Sequence, residues 1–177
     1  KTLLPMKKNR TLLILVIVLG AIAAWIWYSQ SNSTLKKEMK NFAVADTSGI
    51  SRIVITSKTG EQVQLARLKA GSWTVNKDFP ARNDAMNNLL EAICKIQVRN
   101  PVGKRAVENV TKSLATGSTK VEIWLGDALH RVYYVGGETP DQEGTYMLLH
   151  DHEDGLNAEA PFVVHIPGFT GYLSPRY

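Results

Sequence analysis

The densest group of potential ligands in the chain is His150-Asp151-His152-Glu153-Asp154. On a strand, His150 and His152 would face the same way and could share a cation. The group follows Leu149 and runs into Gly155, the pattern of a loop after a strand. Spacing supplies no third ligand, and closed metal sites use four. It also fails as a calcium loop, because its glycine comes too early and no bidentate glutamate follows at the required distance. A hydrated acidic loop without metal is therefore the expectation, with His150 and His152 as the metal candidates. Glu138, Asp141 and Glu143 cluster between Gly136-Gly137 and Gly144. Paired carboxylates can do acid–base work, but turn residues at this density read first as a hydrated hairpin loop. His130 and His165 each stand alone in apparent strands. Cys94 with a distant histidine could form a thiol nucleophile, yet its apolar helical surroundings favour an inert thiol. No G-x-S-x-G, phosphate-binding Gly-Lys loop, dinucleotide fingerprint or H-E-x-x-H occurs. Trp73, Trp124, Tyr133, Tyr134, Phe162 and Phe169 could line a groove, although aromatic side chains in such a pattern mostly build a core. No catalytic or cofactor-binding residue is assigned, and no cofactor is expected.

The elements that must position these residues follow from hydrophobic period. Ile50 to Thr56 is β-rich, Gln62 to Leu68 alternates with period two, and Ser72 to Asn76 makes a short third strand. The period then changes. Met86, Leu89, Leu90, Ile93 and Ile96 or Gln97 share one helical face, with Asn83 or Asp84 able to cap its start and Cys94 at its edge. Val98-Arg99-Asn100 should leave the helix ahead of Pro101. A second helix is predicted from about Lys104 to Ala115, with Val107, Val110 and Leu114 aligned and Gly117 as its stop. Strands return at Val121 to Leu125, Leu129 to Val135, Thr145 to Leu149 and Phe162 to Ile166. The fold class is α+β, one antiparallel-sheet domain with two helices in the order β-β-β-α-α-β-β-β-β, and no internal repeat is evident.

Ahead of this domain, Leu12 to Tyr28 contains no charge and no strongly polar side chain. At the helical rise the run spans roughly 25 Å, the short end of a transmembrane helix. A secretory signal cleaved after Ala21-Ile22-Ala23 and a buried core helix are the competing readings. The run continues past Ala23 through Trp25-Ile26-Trp27-Tyr28, aromatics that suit the membrane interface, which favours an uncleaved anchor. Lys7, Lys8 and Arg10 against its start place the N-terminus in the cytoplasm. Lys36, Lys37 and Lys40 oppose this from farther away. Met6 reads as the initiator and residues 1–5 as upstream sequence. The expected organisation is a cytoplasmic N-terminus over 1–10, a transmembrane anchor over 11–28, a polar tether over 29–41 and a periplasmic domain over 42–177.

The formal charge of +5 is supplied largely by Lys1, Lys7, Lys8 and Arg10, and the outer domain mixes both signs. No basic run there suggests nucleic acid. Cys94 is the only cysteine, which excludes an intramolecular disulfide. The chain resembles an uncharacterised, Bacteroidetes-type bacterial family of membrane-anchored domains of unknown function, found beside or fused to gliding-motility-type ABC transporter auxiliary proteins. The residues that carry this resemblance are Met6-Lys7-Lys8-Asn9, Phe42 to Thr47, Gly71 to Asn76, Asn100-Pro101-Val102, Gly117 to Ile123 and Tyr134 to Gly137, then Gly144 to Met147, Ile166 to Phe169 and Gly171 to Tyr177. The resemblance implies an inner-membrane anchor, a periplasmic domain and no assigned catalytic residues. It also implies a longer protein, since such members run on past the Ser174-Pro175-Arg176-Tyr177 stretch. The expected function is a non-catalytic, membrane-tethered periplasmic module that binds a protein partner in a transport or envelope complex. The alternative is a small-ligand or metal-binding domain using the 136–155 region.

Overall fold

The computed structural model describes residues 14–25, 41–69, 71–152 and 155–177. Residues 1–13, 26–40 and Glu153-Asp154, which carry the expected cytoplasmic N-terminus, the ends of the anchor, nearly all of the tether and part of the acidic group, lie outside them. The chain divides into two compact units, Lys1–Glu38 and Met39–Tyr177. In the first, residues 14–25 form a helix with every side chain exposed. Among the described residues no helix is long and apolar enough to cross a membrane.

The second unit carries strands β1 (Ile50–Thr56), β2 (Gln62–Arg67), β3 (Trp73–Val75) and β4 (Phe79–Pro80), then helix α1 (Asn83–Lys95), β5 (Gln97–Pro101) and helix α2 (Val107–Gly117). It ends with β6 (Thr119–Leu125), β7 (Ala128–Glu138), β8 (Thr145–His150) and β9 (Phe162–His165). All nine strands join one sheet in the order β4-β3-β2-β1-β6-β7-β8-β9-β5. Every pairing is antiparallel. The α+β, antiparallel reading is therefore correct, but the sheet has two strands more than its sequence pattern predicts. β4 holds two residues, and β5 is the stretch expected only to leave the helix. Neither can announce itself by alternation.

The topology is mirrored although the sequence shows no repeat. Two four-stranded meanders, β1 to β4 and β6 to β9, meet at the β1–β6 pairing, where Ile53 lies opposite Ile123 and Ile55 opposite Val121. Helix α1 leaves β4 at one edge and delivers the chain to β5 at the other. Its 13 residues span about 20 Å, whereas eight strand spacings come to about 38 Å. Coiling of the sheet and the linkers at 81–82 and 96 make up the difference.

The α1 face turned to the core is Met86, Leu89, Ala92 and Ile93. Leu90 is a correction: it is half-buried, and Ala92 takes the deeper place. The cap is another correction. The N-cap position is Arg82, with no side-chain cap bond, and its guanidinium instead holds Asp84. Helix α2 starts later than predicted, because residues 104–106 form a turn and Gly117 is its last helical residue. Phe42, at the head of the domain, is 1% exposed and packs edge-on against Tyr133 at 6.0 Å and Phe162 at 6.1 Å.

The C-terminal segment is a strap. Leu173 is fully buried, and its N–H donates to Thr145 Oγ1 at 2.6 Å. Ser174 donates its hydroxyl to the Gly136 carbonyl at 2.7 Å. Arg176 pairs with Glu91 at 3.1 Å and lies 4.3 Å above the Phe169 ring. Thr145→Val should destabilise the chain by about 1–3 kcal/mol, the penalty for a buried N–H stripped of its acceptor. Thr145→Ser should recover most of it in thermal unfolding. An unchanged stability in Thr145→Val, or a loss in Thr145→Ser as large as in Thr145→Val, would mean that the hydroxyl bond is not what holds the strap.

Each outer edge of the sheet ends in a proline. Ala81 N–H turns inward to the Trp73 carbonyl at 2.8 Å, so the adjacent position facing out is Pro80, which has no N–H. Val102 N–H turns inward to the Pro161 carbonyl at 3.0 Å, and the adjacent residue is Pro101. A register shift between Val98 and Asn100 interrupts the same edge. Prolines and irregularities of this kind block strand addition.

Candidate functional site

The 136–155 region is not one exposed loop. It is the end of β7, a short turn over residues 139–144 and the whole of β8, with Thr139 at 5% exposure and Thr145 at 0%. Thr139 donates its hydroxyl to the Asp141 carboxylate, and Glu143 N–H donates to the same group at 3.2 Å. These bonds, the Thr139 hydroxyl first, hold the Asp141 carboxyl below its usual value. Arg99 from β5 reaches both acids, at 3.2 Å to Asp141 and 3.4 Å to Glu143. Asp141 and Glu143 therefore serve as a clamp between β5 and the turn. Glu138 stands apart, opposite Thr145 in the ladder.

The histidines do not converge on a ligand set. His150 Nδ1 lies 2.8 Å from Asn157 Oδ1, and its ring meets Tyr134 edge-on at 6.2 Å. His152 lies in the turn after β8. Burial, then Arg131 and His152, lower the His130 pKa. His165 pairs with Gln97 across the β9–β5 ladder. Among the described residues no group of three or more His, Cys, Asp or Glu side chains could hold a metal ion. Cys94 donates its S–H to the Ala45 carbonyl at 3.4 Å. A cation bound at His150 and His152 would raise stability by about 2.7 kcal/mol at a hundredfold excess over its dissociation constant. We expect the melting temperature to be the same with zinc, calcium or chelator. A rise with one metal, abolished by His150→Ala with His152→Ala, would overturn that expectation.

Of the six aromatics, Trp73, Tyr133 and Phe162 are buried. Trp124 lies under the Arg52 guanidinium at 4.0 Å, and Tyr134 and Phe169 are half-buried.

Among the described residues, two recesses on the second unit stand out. One, of about 310 Å³, lies between the start of α1 and the strap and is lined by Arg82, Asp84, Ala85, Asn88, Pro175 and Arg176. Its charges are already matched, Arg82 with Asp84 and Arg176 with Glu91. The other, of about 200 Å³, lies between α2 and the β7–β8 hairpin. Gly136 lets α2 approach: a Cβ there would sit 2.6 Å from Leu114 Cδ2 and 3.1 Å from the Tyr146 carbonyl. Val110 and Leu114 supply apolar walls, and Gly137 leaves open space beside them. Asn109 and Ser113, one helical turn apart, join Glu138 and Tyr146 at its rim. In the sequence the Gly136-Gly137 pair is one trace of this recess. The matching spacing of Asn109 with Ser113 and of Val110 with Leu114 is its other trace. Compared with protein-family models, with curated proteins and with solved structures, the chain matches none.

Proposed function

We propose that the chain is a membrane-tethered periplasmic interaction module that acts without catalysis as an accessory of a transport or envelope complex. The observation that carries the tether is the uncharged run Leu12 to Tyr28 behind Lys7, Lys8 and Arg10. Such a run with a basic flank belongs in a bilayer with its N-terminus in the cytoplasm. The family resemblance supports the same placement and is the whole support for the transport setting. The proline-ended sheet edges support contact through the faces and recesses of the domain rather than by strand addition.

Intact mass and N-terminal sequencing of membrane-extracted protein test the anchor; a mature start near Ala24 or Trp25 would sink it. In a Cys94→Ala background, a cysteine placed between Ser29 and Ser33 should label from the periplasmic side. Labelling only after the inner membrane is breached would reverse the orientation. After mild detergent extraction the chain should migrate with a larger assembly, and migration as a lone chain at every concentration would reject the accessory role.

A further inference from the structure

We propose that the recess between α2 and the β7–β8 hairpin binds a small organic cation, an alkylguanidinium or alkylammonium group. This deepens the interaction-module reading by naming the chemistry of a contact, and it is tested independently of the anchor.

The charge balance of the hairpin motivates the proposal. Arg99 engages Asp141 and Glu143, whereas Glu138 has no ion-pair partner among the described residues. Glu138 lines the recess. Asn109, Ser113 and Tyr146 line it too, and the amide of the first and the hydroxyls of the other two have no hydrogen-bond partner among the described residues. The lining residues thus carry one negative charge, three uncharged groups able to accept N–H bonds, and an aromatic ring of the kind that attracts cations. Val110 and Leu114 offer apolar contact to an alkyl stem, as the stems of lysine and arginine prefer.

Size and charge narrow the occupant. At about 200 Å³ the recess falls below the roughly 300–1,000 Å³ of drug-sized sites, so it takes one headgroup rather than a whole metabolite. A single carboxylate matches a monocation, whereas divalent metals require several charged or carbonyl ligands. Gly137 is the feature that keeps the space open, since nothing lies within 4 Å of where its Cβ would be. It is not among the positive-φ glycines, so a larger side chain fits its backbone.

The test is an amide chemical-shift titration of the full-length chain in detergent micelles with ethylguanidinium chloride. N-ethylurea serves as the neutral isostere and sodium chloride as the ionic-strength control. Saturable shifts should localise to Gly137, Glu138, Asn109 and Ser113 with ethylguanidinium alone. Glu138→Gln should weaken binding by about tenfold or more, the loss of a charged hydrogen-bond partner. Gly137→Leu should abolish binding while leaving the remaining spectrum folded. Shifts that fail to saturate, equal shifts with N-ethylurea, or an unchanged affinity in Glu138→Gln would overturn the proposal. Agmatine and an arginine-containing peptide form the last arm. Tighter binding of the peptide supports a basic side chain of a protein partner, and tighter or equal binding of agmatine supports a free amine. Binding of neither overturns the site.

Discussion

Ile93→Ala is expected to lower the stability of the second unit by about 2–5 kcal/mol, the range for cutting a fully buried aliphatic side chain back to its Cβ. Ile93 has no exposed surface and lies on the α1 face that packs into the core. Its carbonyl also accepts the Val44 N–H at 3.1 Å, which ties the head of the domain to the helix end. Leu90→Ala on the same helix should cost about 1 kcal/mol, because a half-buried leucine recovers only part of the roughly 1.5–3 kcal/mol of full burial. Urea unfolding of the full chain measures both. The midpoint should fall far more for Ile93→Ala, with the denaturant slope unchanged in each. The reverse order would mean that α1 is rotated by a residue relative to the sheet.

That pair of residues marks the limit of what periodicity shows. Met86, Leu89 and Ile93 are legible as core because their spacing follows the helical repeat. Leu90 fits the same stripe, and only the sheet decides how far the stripe extends round the helix. Strands with their own alternation are equally legible. In β6, Val121 and Ile123 are buried, while Glu122 and Trp124 between them are half-exposed. β4 and β5 carry no such signal. Each borrows its register from a neighbour, Phe79 from Val75 and Val98 from Val164. Their prolines argue against a strand within the segment and make sense only at a sheet edge. The recess fails for a related reason. Gly137 and Ser113 are brought together by the packing of α2 against β7, which local pattern does not encode. In the 136–155 stretch the turn residues are real but confined to the hairpin tip over 139–144 and to the turn after β8.

Above pH 10 the strap should loosen, and the pair formed by the buried Tyr133 and the half-buried Tyr177 is the reason. Tyr133 is fully buried and donates its hydroxyl to Tyr177 at 3.2 Å, with the rings edge-on at 5.9 Å. Burial pushes the Tyr177 phenol up to about 12 from an ordinary value of 10.0, and the Tyr133 phenol is raised well above its own, again chiefly by burial. The folded state therefore keeps both phenols neutral where the unfolded chain would release their protons. For a folded pKa above the unfolded one, the contribution is fully present below the unfolded value and is lost as pH climbs toward the folded value. The loss from Tyr177 should begin near pH 10 and be complete near pH 12, with a size on the order of 2 kcal/mol. Tyr133 extends the same loss upward. Urea midpoints measured at steps from pH 8 to 12 should hold level and then fall for the native sequence, with tyrosinate absorbance rising along the fall. Tyr133→Phe combined with Tyr177→Phe removes both ionisable groups and keeps the ring packing. That variant should hold a flatter midpoint across the same window. Parallel decline of the two proteins would assign the alkaline loss to groups elsewhere and dissociate the tyrosine pair from the strap.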